Sequence, residues 1–269
     1  QRSYGRQNST VTMAAKYQEL YQQVLAADRS FKQEQPGQRN LKLGVLIKRP
    51  HPDHAYPSTH IRVLEWLKHP DISKRLNAQF LNIDVFLQDE HRVFELDAIL
   101  IQRNAIEPHL VRSLVETCRQ RNLPYVFELD DDLMNVPAEK DLNGFYARNA
   151  SSLEALATEA AAVTVSTESL AEKLKQFNQN VTIVPNVLSE FPWFAPLNKS
   201  VEVPELILEA PAHLLKVLYM GNPTHTEDLA MIRPVFERLR KEGHPVQLFV
   251  IGGEPETQES DTNWYQRLV

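Results

Sequence analysis

DAILIQRN at 97–104, EPHLVRSLVETCRQRN at 107–122 and PYVFELDD at 124–131 decide the fold. The first and last of these are apolar on both faces, and the middle one carries Leu110, Val111, Leu114, Val115 and Cys118 on a single helical stripe. A strand with no polar alternation has both sides buried, and two such strands joined by an amphipathic helix make a β-α-β unit of a parallel sheet.

The pattern repeats outward in both directions. LKLGVLIKR at 41–49 reads as a buried strand, and PSTHIRVLEWLKH at 57–69 as a helix with Ile61, Leu64 and Leu67 at helical spacing. AQFLNIDVFLQ at 78–88 reads as a second strand. Beyond 131 come an Ala-rich helix at 151–162, a strand at 162–167, a helix from Ser169 to Phe177 opened by the capping box Ser169-x-x-Glu172, and a strand at 181–186. Strands alternating with helices predict an α/β, Rossmann-like doubly wound sheet over 41–190, with ligands at the carboxyl ends of its strands. Before it, 1–40 reads as a helix at 11–27 plus a polar linker. That helix is expected to dock a neighbouring domain through Met13, Ala14, Tyr17, Leu20, Tyr21 and Leu25.

The period is lost after 186. Four prolines fall within 187–212, which reads as an interdomain linker, its core at 191–212. A strand at 216–221, a helix at 226–243 containing Pro234, and a strand at 246–253 then open a second Rossmann-like domain, 213–269. One β-α-β unit is less than a complete sheet, so that domain is expected to be truncated, and Gln1 suggests a chain cut from something longer.

Composition narrows the function. A net charge of -6 argues against nucleic acid as a partner. A single cysteine, Cys118, excludes an intrachain disulfide and fits a reducing, cytoplasmic setting. Neither a signal peptide nor an apolar run of membrane-spanning length is visible. Neither G-x-G-x-x-G nor a P-loop occurs, and 8 glycines are few for a dinucleotide enzyme.

Three strand-end segments carry candidate chemistry. The loop 48–62 (KRPHPDHAYPSTHIR) feeds a helix N-terminus, where Tyr56, Ser58, His60 and Arg62 can meet sugar hydroxyls or an anion, joined by Arg103 after the third strand. Its histidines match no standard zinc spacing. Asp130, Asp131 and Asp132 end the fourth strand. Neighbouring carboxylates repel, so one can hold a proton near neutrality and act as general base; holding Mg²⁺ ranks below that, and capping the following turn is the structural alternative. Gly221, Asn222, Thr224 and His225 lie between a strand and a helix N-terminus, and Gly252, Gly253 and Glu254 end the next strand. Both places suit close approach of a phosphate, although Thr224-x-x-Glu227 is also a capping box.

AAVTVSTESLAEKLKQFNQNVTIVPNVL, KVLYMGNPTHTEDLAMIRPVFERL and PVQLFVIGG, in that order, resemble GT-B type glycosyltransferases of family 4, and YVFELDDDL resembles the acidic strand-end loop of their bacterial polysaccharide members. The resemblance covers about 41–269. It implies metal-independent transfer of a sugar from a nucleotide-diphosphate sugar, with no further cofactor, to a glycan or lipid-linked acceptor, the latter with peripheral membrane contact at the inner face. The acceptor would lie on the first domain and the donor mainly on the second. The first donor loop departs from the family's pattern: Asn222, Thr224 and His225 stand where many members place Arg and Lys. A catalytically degenerate module that binds a glycan or a partner protein is therefore the alternative.

Overall fold

The computed structural model describes residues 10–27, 40–48, 56–89, 95–187, 205–221, 226–252 and 265–268. The chain divides into two compact units, 1–195 and 196–269.

The first unit begins with helix α1 (Thr10–Ala27) and strand β1 (Leu41–Leu46). Helix α2 runs over 57–67, with a π-helical middle at His60–Leu64, and is followed by α3 (Pro70–Ser73), β2 (Leu76–Phe80) and α4 (Ile83–Leu87). Then come β3 (Ala98–Gln102), α5 (Pro108–Gln120), β4 (Tyr125–Leu129), α6 (Phe145–Glu159), β5 (Ala162–Val165), α7 (Glu168–Leu174) and β6 (Val181–Ile183). The six strands form one sheet in the order β2-β1-β3-β4-β5-β6, with every neighbouring pair parallel. This is the Rossmann-like doubly wound α/β sheet that the alternation predicts. The chain turns from β1 to β2 on one side and continues from β3 on the other, so the topological switch point lies between β1 and β3.

Each sheet face has its own core. On one, Ile99, Ile101, Tyr125, Phe127, Leu129, Val163 and Val165 pack against Val111, Leu114 and Cys118 of α5, Leu153 and Leu156 of α6, and Leu170 and Leu174 of α7. On the other, Leu43, Val45, Ala98, Leu100, Val126 and Ala162 meet Val63, Leu64 and Trp66 of α2, together with α1. Met13, Ala14, Tyr17, Leu20, Tyr21 and Val24 of α1 are all buried, and the Tyr17 ring stacks on Trp66 at 4.5 Å. The helix expected to dock a neighbouring domain thus spends its apolar stripe on the sheet of its own unit. With α5, α6 and α7 on the opposite face, α1 joins α2 and Ile72 of α3 in covering this one.

Several boundaries differ from the sequence reading. The run 78–88 is not one strand. Asn82 accepts hydrogen bonds from the Asp84 and Val85 amides at 3.0 and 3.2 Å, and this N-cap ends the extended segment and starts α4. Helix α7 is capped by Thr167, whose hydroxyl accepts from the Leu170 amide at 3.2 Å, two residues before the expected Ser169. Helix α6 starts at Phe145, because Gly144 at φ 59° turns the chain and the Asp141 carboxylate accepts from the Tyr146 and Ala147 amides.

The second unit contains α8 (Glu205–Glu209), β7 (Leu215–Gly221), α9 (Thr226–Lys241), β8 (Val246–Gly252) and β9 (Tyr265–Leu268). Its strands are parallel in the order β7-β8-β9, one strand more than the sequence reading gave. Leu229 and Phe236 of α9 pack on Val246, Leu248 and Val250, with Pro234 inside the helix. Gly243 at φ 79° lies just past its end.

Candidate functional site

The carboxyl ends of β1, β3 and β4 bring together the polar side chains of the first unit. Lys48 follows β1, and its Nζ lies 4.8 Å over the Phe145 ring at the start of α6. Gly44 allows β1 to pack tightly, since a Cβ there would fall 2.7 Å from Leu81 Cδ1 and 2.8 Å from Leu96 Cδ1. At the start of α2, Tyr56 is 40% exposed and Ser58 half-buried. The buried Thr59 hydroxyl donates to Gln102 Oε1 at 2.6 Å, joining α2 to the end of β3.

Arg103 follows β3 with φ 50°. Its amide donates to Glu128 O at 2.8 Å, and its Nη1 lies 2.8 Å from Asp130 Oδ1 and 2.9 Å from Asp131 Oδ2. The Asp130 side chain is 8% exposed and that of Asp131 64%, so one guanidinium anchors a covered carboxylate and orients an open one. Burial pushes the Asp130 carboxyl above the usual range, against the pull of Arg103. Ser166 Oγ holds the Asp130 carbonyl at 2.8 Å. Asp132 belongs to another set of contacts: Lys173 Nζ lies 2.6 Å away and Asn135 Nδ2 2.9 Å away. Partial burial opposes them, but these two bonds hold the Asp132 carboxyl below its ordinary range.

The expected three-acid cluster is therefore divided. Asp130 and Asp131 share Arg103, while Asp132 pairs with Lys173. The carboxyl held near neutrality is instead Glu128, which burial pushes up to about 7 against the opposing pull of Arg62. Among the described residues, no three His, Cys, Asp or Glu side chains are grouped to hold a metal ion.

Of the residues expected to meet the acceptor, Arg62 is occupied elsewhere and His60 is half-exposed. Arg62 is fully buried, with Nε 2.7 Å from Glu128 Oε1, so its guanidinium cannot reach a ligand in solvent. A buried arginine needs a buried acid, and Glu128 on β4 supplies it. His60 Nε2 lies 2.6 Å from Glu65 Oε1, one turn along its own helix.

No family model matches this sequence, and no curated protein matches it. Among solved structures, the glycosyltransferase of kitacinnamycin is similar at 12% identity over 85% of this chain and 70% of that one, with a TM-score of 0.36. Arabidopsis thaliana UGT89C1, complexed with UDP-L-rhamnose, is similar at 11% identity over 86% and 70%, with a TM-score of 0.37. The U32 peptidase Mk0906 is similar at 15% identity over 82% and 71%, with a TM-score of 0.26. A peptidase thus stands beside two glycosyltransferases, each at 15% identity or less.

In the second unit, Gly221 and Gly252 are register partners at the carboxyl ends of β7 and β8. Two adjacent strands thus end side by side without side chains, which lets a ligand approach the backbone closely. Asn222, Thr224, His225, Gly253 and Glu254 lie outside the described residues. Among the described residues no helix is long and apolar enough to cross a membrane.

The sequence reading takes Glu128 only as part of the acidic run ending the fourth strand and passes over Gln102 and Thr164. Each falls on the same side of its strand as Leu100, Val126 and Ala162, so three polar residues interrupt one apolar face. That interruption was the available signal.

Proposed function

We propose that this chain belongs to an enzyme transferring a sugar from a nucleotide-diphosphate sugar to a hydroxyl of a glycan or glycoconjugate. The observation that carries the reading is Asp131, an open carboxylate oriented by Arg103 at the carboxyl end of β4, one strand from the switch point where doubly wound sheets bind ligands. The order of motifs resembling family 4 glycosyltransferases supports it.

In this reading Asp131 receives the proton of the acceptor hydroxyl as that oxygen bonds to the anomeric carbon of the donor. The bond from that carbon to the diphosphate breaks, and the nucleoside diphosphate leaves with its electron pair. Asp130 and Arg103 fix the base. Tyr56 and Ser58, at the start of α2, contribute to holding the acceptor. Gly221 and Gly252 leave room for the donor's phosphates, and Asn222, Thr224, His225, Gly253 and Glu254, which follow them in the sequence, are proposed as further donor contacts.

Calorimetric titration of the full-length protein with a panel of nucleotide sugars, with and without Mg²⁺, tests the proposal. Saturable binding of one donor without metal is expected. A folded protein that binds none of them overturns it in favour of a module that binds a glycan or a partner protein.

A further inference from the structure

We infer that Arg62 is a positioning residue that ties the acidic edge of β4 to the segment leaving β6, so that the two respond to perturbation as one piece. The inference rests on the proposed function only in calling that edge the acceptor side.

The geometry is a four-way junction. Arg62 Nε donates to Glu128 Oε1 at 2.7 Å, and Nη1 donates to Val184 O and, at 3.1 Å, to Asn186 Oδ1. Nη2 lies 3.4 Å from the Tyr17 hydroxyl of α1. Neither side chain of the Arg62–Glu128 pair is exposed at all. A planar fork with fixed donors can hold β4, the exit from β6 and α1 at once, which an ammonium on a flexible stem cannot.

The local backbone serves this junction. Arg62 sits in the π-helical stretch His60–Leu64, where the wider turn alters the hydrogen-bond ladder. The Trp66 indole donates to Arg62 O at 2.6 Å. From Glu128 the connection runs to the candidate site, because Glu128 O accepts the Arg103 amide at 2.8 Å and Arg103 holds Asp130 and Asp131. On the other arm, Val184 and Asn186 are among the last described residues before the stretch leading to the second unit.

Two amides report on the two arms. The Arg103 amide bonds Glu128 O, and the Val184 amide bonds Val165 O at 2.8 Å. Native-state hydrogen exchange is measured on the full-length protein and on Arg62→Lys, which keeps the cation beside Glu128 but loses the fork. Exchange at both amides is expected to rise about tenfold, roughly 1.4 kcal/mol, while amides inside α5 keep their protection. Asn186→Ala, which removes one of the two exit-arm acceptors and leaves the bond to Val184 O, is expected to raise exchange at Arg103 as well as at Val184, by less than Arg62→Lys does. Independent responses of the two amides, or uniform loss of protection that includes α5, would overturn the inference. If the protein turns over sugar, Arg62→Lys is expected to lower kcat with the donor KM unchanged. The exchange result stands or falls without any activity, so its failure is separable from failure of the transferase reading.

Discussion

Arg103 reaches Asp130 at 2.8 Å from a backbone held at φ 50°, a region that residues with a Cβ rarely adopt. Such a conformation costs on the order of 1–3 kcal/mol and survives only where its surroundings enforce it. Here the Arg103 amide bond to Glu128 O and the two carboxylates do so. Glycine relieves the strain and alanine keeps it, while both delete the ion pairs. Arg103→Gly is therefore expected to be more stable than Arg103→Ala by about 1 kcal/mol in urea unfolding. Equal stabilities would show that no strain is stored there.

The division of the acids predicts a division of effects. Asp131 is open, so Asp131→Asn should leave stability within about 0.5 kcal/mol and lower sugar transfer by roughly 100-fold or more. Asp132 is engaged by Lys173 and should tolerate Asp132→Asn with a much smaller loss of turnover. Steady-state kinetics of the two variants, with melting curves as control, decide the matter. Comparable losses in both would return the three carboxylates to a single cluster.

The sheet was legible because its strands are apolar on both faces and its helices are striped, and both follow from burial alone. Gly221 and Gly252 were legible as the ends of strands. The Arg103 contacts were not, because they depend on which turn follows β3 and on the register of β3 against β4. Arg62 was misread for a related reason. A charged residue near a loop looks exposed until its partner is known, and Glu128 lies 66 positions away. Residues 78–88 form an apolar run whose period suits a strand or a helix, and the Asn82 cap decides between them.

The cover formed by α1 gives a third prediction. Tyr17 is fully buried, stacks on Trp66 and places its hydroxyl beside Arg62. Tyr17→Ala removes the ring and exposes the junction, and should cost about 3–5 kcal/mol, as for other large aromatic truncations. Tyr17→Phe keeps the stacking and loses only the weak hydroxyl contact, so it should cost about 1 kcal/mol or less. Urea unfolding of both variants is the measurement. A loss in the phenylalanine variant as large as in alanine would place the energy in the hydroxyl.

Glu128 supplies a prediction in pH. Burial raises its carboxyl from 4.5 in the unfolded chain to about 7 in the folded one, with Arg62 pulling the other way. A carboxyl with a raised folded-state value binds its proton more tightly in the native protein, so native stability falls as pH rises from the unfolded value to the folded one. The window is therefore about 4.5 to 7. Glu128→Gln has no proton to exchange at this position and lacks that slope. The stability of the native protein minus that of Glu128→Gln should accordingly shrink as pH rises across the window and level off above it. Urea unfolding at half-unit pH steps measures the difference. A difference that grows with pH would mean that attraction to Arg62 outweighs burial, and that the Glu128 carboxyl lies below its ordinary value in the folded chain.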